Sequence, residues 1–178
     1  KLTADHKTYE GTIELGASTD SYDAQGAVIS RAAVPNLDCV ELNAHAQEFL
    51  GDIQQKPPMV SAVKKNGIPL YKLARKGKII DRDPKPVHIF SYEFSDYNAP
   101  VSKFCIHCSK GTYVRSLAHE LGKKLGCGAH LRTLHRTKSG SFDIKDAIKL
   151  EELVVLPDLE LHRRIISLVE LTRSLQSA

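Results

Sequence analysis

The stretch that most constrains this chain is residues 105–138, CIHCSKGTYVRSLAHELGKKLGCGAHLRTLHRTK. Phe104, Ile106 and Cys108 alternate with more polar neighbours, the period of two of a half-buried strand. Lys110-Gly111-Thr112 breaks that alternation. From Val114 the apolar residues recur at Leu117, Ala118, Leu121 and Leu125, a single helical stripe. Thr112 stands where an N-cap belongs, and Gly126 follows Lys123-Lys124 where a left-handed glycine ends a helix. Residues 130–138 then return to extended character. Strand, turn, helix and strand in immediate succession predict a sheet with helices packed on it.

Charge adds chemistry to this frame. Arg115 falls in the first turn of the predicted helix, where the macrodipole disfavours a cation. A guanidinium there calls for an anion, either a carboxylate or a phosphate; the alternative is a solvated arginine. Residues 103–138 hold eight Lys/Arg and one acid, Glu120, and residues 56–88 hold nine Lys/Arg against Asp81 and Asp83. Each block is a local +7 in a chain of net charge +4, so the remainder is strongly acidic. Two basic blocks on an acidic body are the footprint of a polyanion-binding protein, with nucleic acid the favoured partner.

The other segments read as follows. Residues 8–15 alternate, with Tyr9, Gly11, Ile13 and Leu15 on one face, and form a strand with one wet side. Residues 16–26 are an acidic loop, and 27–30 can return as an antiparallel partner. Asp20 and Asp23 have the look of paired catalytic carboxylates. They are set aside, because aspartates in a Ser/Thr/Asp/Gly-rich turn bond their own backbone. Residues 38–50 form a helix opened by an Asp38/Glu41 capping box, with Cys39, Leu42, Ala46, Phe49, Leu50 and Ile53 as its buried stripe and Gly51 as its stop. His45 lies off that stripe.

Residues 56–88 carry five prolines and allow only a short helical turn around Leu70 to Ala74. So long, basic and proline-punctuated a stretch reads as a functional loop. Residues 87–94 and 101–108 are two strands. In 130–138 a period of two places Leu134 on one face with Arg132 and Arg136. Residues 165–175 form a helical tail.

Cys105, Cys108, Cys127 and His130 have a zinc-like spacing. On a strand, however, Cys105 and Cys108 are an odd number of positions apart and point to opposite faces, which argues for small buried apolar residues instead. No apolar run approaches the roughly 20 residues of a membrane span, and the first residues hold no apolar core of a secretory signal.

Five segments carry a family resemblance: KTYEGTIELG (7–16), TDSYDAQG (19–26), FLGDI (49–53), PPMVSAVKKNGIPLYKLAR (57–75) and KGTYVRSLAHELGKKLGCGAHLRTLHRTKSGSF (110–142). In this order, and with 143–153 as a closing segment, they resemble the bacterial tRNA pseudouridine-55 synthases of the TruB type over roughly residues 7–153. The resemblance implies an α+β catalytic domain with a mixed, largely antiparallel sheet and packed helices, N-terminally incomplete. Residues 1–155 would be that partial domain, 56–88 its RNA-gripping thumb, and 156–178 a helical tail without an appended PUA-type domain. It further implies isomerisation of uridine-55 in the T-arm stem-loop of tRNA, by a cytoplasmic monomer that uses neither cofactor nor metal.

By the same resemblance, Lys7-Thr8-Tyr9 places Tyr9 against the target uracil, with Tyr113 and Leu134 completing the slot, and Arg115 pairs with the catalytic aspartate. Lys64, Arg75, Lys110 and Arg132 would be further substrate-binding residues. The family's nucleophilic aspartate lies in a GxLDxxATG motif upstream of the Lys-x-Tyr strand, and no aspartate of this sequence has that context. The chain alone is therefore expected not to isomerise uridine. The segment bearing that motif is expected to supply strands beside residues 8–15, whose absence would leave an open edge there. Two other readings stay open: a non-catalytic tRNA-binding or folding module using the same basic groove, and a general basic RNA-binding domain.

Overall fold

The alternating residues do form the predicted strand, β1 (Lys7–Leu15), with Ile13 and Leu15 buried on its apolar face. The structure is a computed structural model and describes residues 6–78, 80–167 and 169–172. After β1 come β2 (Ala17–Thr19), β3 (Val28–Arg31), α1 (Cys39–Gln47) and β4 (Gly51–Gln55). Residues 56–88 contribute a two-residue-per-strand hairpin, β5 (Lys64–Lys65) and β6 (Ile68–Pro69), followed by α2 (Leu70–Ala74). Then follow β7 (Lys85–Asn98), β8 (Val101–Cys108), α3 (Val114–Lys124), β9 (Ala129–Ser139), β10 (Phe142–Asp143), α4 (Leu150–Leu153) and α5 (Asp158–Arg164).

Six strands make one sheet in the order β10-β9-β1-β8-β7-β4, and every neighbouring pair is antiparallel. Helices α1 and α3 cover the face that carries Ile13, Ile89, Tyr92, Ile106 and Leu131. Fully burying each such side chain contributes roughly 1.5–3 kcal/mol, so this layer dominates the stability of the fold. Among the described residues no helix is long and apolar enough to cross a membrane.

The stripe of α3 is buried as its period predicts: Val114, Leu117, Ala118 and Leu121 are inside, and Gly126 takes the left-handed conformation just past the C-cap Leu125. Gly122 lets the helix approach the sheet, because a Cβ there would stand 2.0 Å from the Ala129 backbone nitrogen. In α1 the capping box forms in full, with the Asp38 side chain on the Glu41 amide and the Glu41 side chain on the Asp38 amide.

Several expectations are corrected. The open edge does not fall beside β1, which lies between β9 and β8 in the interior of the sheet. Residues 28–31 return to β2, not to β1, and form a separate two-stranded ribbon. Helix α3 is capped at Tyr113 without a side-chain bond, while the Thr112 hydroxyl donates to the Ser109 carbonyl at 2.9 Å. Gly51 opens β4 after α1 has already ended, so Ile53 belongs to a strand. Of the tail helix expected over 165–175, residues 169–172 are helical, 165–167 are not, and residues 168 and 173–175 fall outside the described residues; α5 is a separate helix before it.

Candidate active site

Two chain segments meet at the first turn of α3. The loop after β2 is stitched to β9 by backbone bonds on both sides of Asp23: Leu131 donates to the Tyr22 carbonyl and Ala24 donates to the Leu131 carbonyl, each at 2.9 Å. Asp20 closes the loop by accepting from the Ala27 amide at 2.9 Å. Gly26 is required there, since a Cβ would collide with Ser21 and Asp20. One Asp23 oxygen accepts from the Ser21 hydroxyl at 2.6 Å and the Gln25 amide at 3.2 Å. Its other oxygen accepts from the Arg115 guanidinium at 2.9 Å.

The anion that Arg115 calls for is therefore found within the chain. The turn reading of the aspartates holds for Asp20 and for one oxygen of Asp23, but the second oxygen bonds Arg115. The other arm of Arg115 donates to the Val60 carbonyl at 3.0 Å. Both partners of the ion pair are about three-quarters buried, with side chains 23% and 25% exposed. A pair so placed is screened less than a surface one. One helical turn further on, the His119 ring stacks on Tyr22 at 3.8 Å between centroids and 14° between planes. Burial pushes the His119 pKa down, and its Nδ1 finds no hydrogen-bond partner.

Asp23, Arg115, Leu131, Arg132, Thr133 and Leu134 line a cleft of about 340 Å³. Leu134 is 46% exposed, an apolar side chain left open at the mouth of a charged site. Tyr9 stands opposite Arg136 and Gly11 opposite Leu134 across the β1–β9 ladder. Residues directly opposite share a face and the diagonal neighbour is within reach, so the Tyr9 ring and Leu134 lie on one side of the sheet. Burial raises the Tyr9 pKa, and the nearby Cys108 adds to that while Arg136 opposes it; the phenol stays protonated.

Not all the predicted residues gather there. Neither Tyr9 nor Tyr113 lines the cleft, although Tyr113 is only two residues from Arg115. Arg132 lines it but leans on Glu14 at 3.5 Å. A register shift between Thr12 and Ile13 inserts Arg132 as a bulge, so Leu134 shares its face with Leu131 and Arg136, not with Arg132. Lys64 and Arg75 are exposed on the thumb, with the Arg75 guanidinium 5.5 Å over the Tyr71 ring, and Lys110 is exposed in the turn before α3. Cys105 and Cys108 face opposite sides of β8 as read, with Cys108 fully buried. Among the described residues no three His, Cys, Asp or Glu side chains converge as metal ligands.

Residues 1–114 match the family model described as TruB family pseudouridylate synthase, N terminal domain, and residues 115–168 match the tRNA pseudouridylate synthase B C-terminal domain. This chain belongs to the TruB family. A tRNA pseudouridine synthase B from Opitutus terrae is 45% identical over 98% of the chain and 72% of its own length. Those from Francisella philomiragia and Syntrophotalea carbinolica are 47% and 38% identical, over 91% and 99% of the chain. The chain spans only 53% and 58% of those two relatives.

Among solved structures, a Cbf5-Nop10-Gar1 complex aligns over 86% of this chain and 36% of the matched chain, with 28% identity and a TM-score of 0.61. An H/ACA RNP bound to a substrate RNA containing 2'-deoxyuridine aligns over 86% of this chain and 34% of its own, at 22% identity and a TM-score of 0.57; that likeness shows the shared fold alone.

Proposed function

We propose that this chain carries the base slot, the arginine and the thumb of a tRNA uridine-55 pseudouridine synthase, with the nucleophilic carboxylate outside it. The observation that carries this reading is Arg115, held at a helix N-terminus by Asp23 and opening on a cleft beside the exposed Leu134. Moving a uracil from N1 to C5 attachment requires a carboxylate at the ribose and an apolar-aromatic surface for the detached base. The target nucleotide must also leave its stack. By this logic Arg115 orients the carboxylate, Tyr9, Tyr113 and Leu134 hold the base, and Lys64, Arg75, Lys110 and Arg132 contact the RNA. Neither a metal nor a cofactor enters the chemistry, and the protein acts as a cytoplasmic monomer on the T-arm stem-loop.

Asp23 is a poor candidate for the nucleophile. Its two oxygens already accept from Ser21, Gln25 and Arg115, which draws off electron density and fixes the carboxylate in the loop. The second reading rests on the two basic blocks alone, and in it the same basic groove serves a non-catalytic tRNA-binding or folding module.

Binding and turnover on a T-arm stem-loop separate the two. The chain alone should bind and not isomerise; joined to a segment bearing the aspartate motif it should isomerise uridine and be trapped by 5-fluorouridine. Turnover by the isolated chain would show that the nucleophile is inside it after all. Binding without turnover in the joined protein would leave the non-catalytic module.

A further inference from the structure

Gln55 ends β4 at the root of the thumb and is 6% exposed. A buried carboxamide must spend its donors and acceptor on partners inside the protein. Gln55 spends both ends on one residue: its oxygen accepts from the Tyr113 amide at 2.6 Å and its nitrogen donates to the Tyr113 carbonyl at 3.1 Å. The side chain thus binds the backbone of residue 113 as a neighbouring strand would. Two further bonds run between the same segments. Ser116, itself buried, donates to the Lys56 carbonyl at 3.2 Å, and Arg115 donates to the Val60 carbonyl at 3.0 Å.

The thumb root is closed on its other side as well. Lys56 pairs with Asp81 at 2.6 Å, Arg82 donates to the Pro57 carbonyl at 3.1 Å, and Pro57 and Pro58 are fully buried. Residues 55–60 and 113–116 are therefore joined at three points, and Arg115 belongs to the joined unit.

We propose that Gln55 is a positioning residue: its double bond pattern with Tyr113 fixes the first turn of α3, so that the thumb and Arg115 take their positions together. The relevance of that coupling to RNA rests on the proposed function; the coupling itself does not.

The test compares the full chain with Gln55→Met, which keeps the volume and removes both bonds, and with Gln55→Glu. A neutral carboxyl presents one donor and one acceptor, as the carboxamide does, whereas a carboxylate presents acceptors only. In Gln55→Met, amide hydrogen exchange should accelerate about tenfold over residues 113–117 and equally over 59–63, with β1 and β8 unchanged. Affinity for a T-arm stem-loop RNA should fall several-fold. Gln55→Glu should lose protection wherever its carboxyl is ionised, since one oxygen then faces the Tyr113 carbonyl without a donor, and regain wild-type protection on protonation, at a pH that burial raises above the ordinary glutamate value.

Acceleration at 113–117 with 59–63 unchanged would overturn the proposal and leave Gln55 a local helix cap. Unchanged exchange in both segments, or no recovery of the glutamate variant, would also overturn it. Should the wild-type chain fail to bind the RNA, the functional reading falls while the exchange measurements still decide the coupling.

Discussion

Asp23 and Arg115 are 92 residues apart in the chain and 2.9 Å apart in the fold. The ion pair holds a surface loop against the helix that opens the cleft. In Asp23→Asn the charge is lost, and the one remaining oxygen can accept either from Arg115 or from Ser21 and Gln25, not from both sides. A pair this buried lies between the surface and interior limits, so the expected loss is about 1–2 kcal/mol. Asp20→Asn is the control: an asparagine oxygen can still accept from the Ala27 amide, and it should cost less than about 0.5 kcal/mol. Urea unfolding of both variants checks this, and equal losses would mean that the ion pair contributes nothing beyond the turn.

How much of this was legible in the sequence depends on the range of each signal. Helix α3 was legible because its stripe and terminal glycine are local, and so was the Asp38/Glu41 cap. Arg115 announced that an anion was needed, but nothing near it in sequence said which one. The TDSYDAQG loop declared its turn correctly, yet the second oxygen of Asp23 has no local signature, since its partner arrives only when β9 and α3 pack. The face of Leu134 was misread because a bulge at Arg132 shifts the period of two by one residue. Gln55 reads as one polar residue in a run of them; only its burial against Tyr113 distinguishes it.

Gly122 offers a test in which propensity and packing disagree in sign. Replacing an interior helical glycine by alanine ordinarily stabilises by about 0.5–1 kcal/mol. Here the new Cβ would meet the Gly128–Ala129 backbone at 2.0–2.3 Å, and backbone cannot rotate away as a side chain does. Gly122→Ala should therefore destabilise, by about 1–3 kcal/mol in a chemical-denaturation midpoint. A more stable variant would mean that α3 and β9 are less closely apposed than the fold indicates.

His119 predicts a direction of pH dependence. Burial lowers its folded pKa below the ordinary value of 6.5; Glu120 partly opposes this and Lys123 reinforces it. His107 is shifted the same way by burial, His6 and Lys138. A depressed histidine pKa means that the unfolded chain takes up a proton that the native state refuses. Stability should be constant above about pH 7, fall as pH drops through 6.5, and level once the folded pKa is passed. His119→Gln should flatten part of that slope while keeping a planar group against Tyr22. A slope unchanged in this variant would place the dependence on His107 or elsewhere.

Leu134 separates a site residue from a core residue by two measurements on one variant. With 46% of its surface exposed it gives little to the core, so Leu134→Ala should cost less than about 1 kcal/mol of stability, against 2–5 for a buried leucine such as Leu117. If its apolar face receives a base, the same variant should weaken T-arm stem-loop binding by about 1 kcal/mol, the low end of the range for a base stacked on an aromatic ring, which leucine lacks. Its salt dependence should stay that of the wild type, because no charge has changed. Lys64→Ala and Arg75→Ala should behave in the opposite way. Each removes a cation exposed on the thumb, and each should lower the slope of log affinity against log salt by about 0.7–0.9 for every phosphate that the cation neutralises. A Leu134 variant that binds RNA like the wild type, beside thumb variants that do not, would keep the basic groove and remove the base slot.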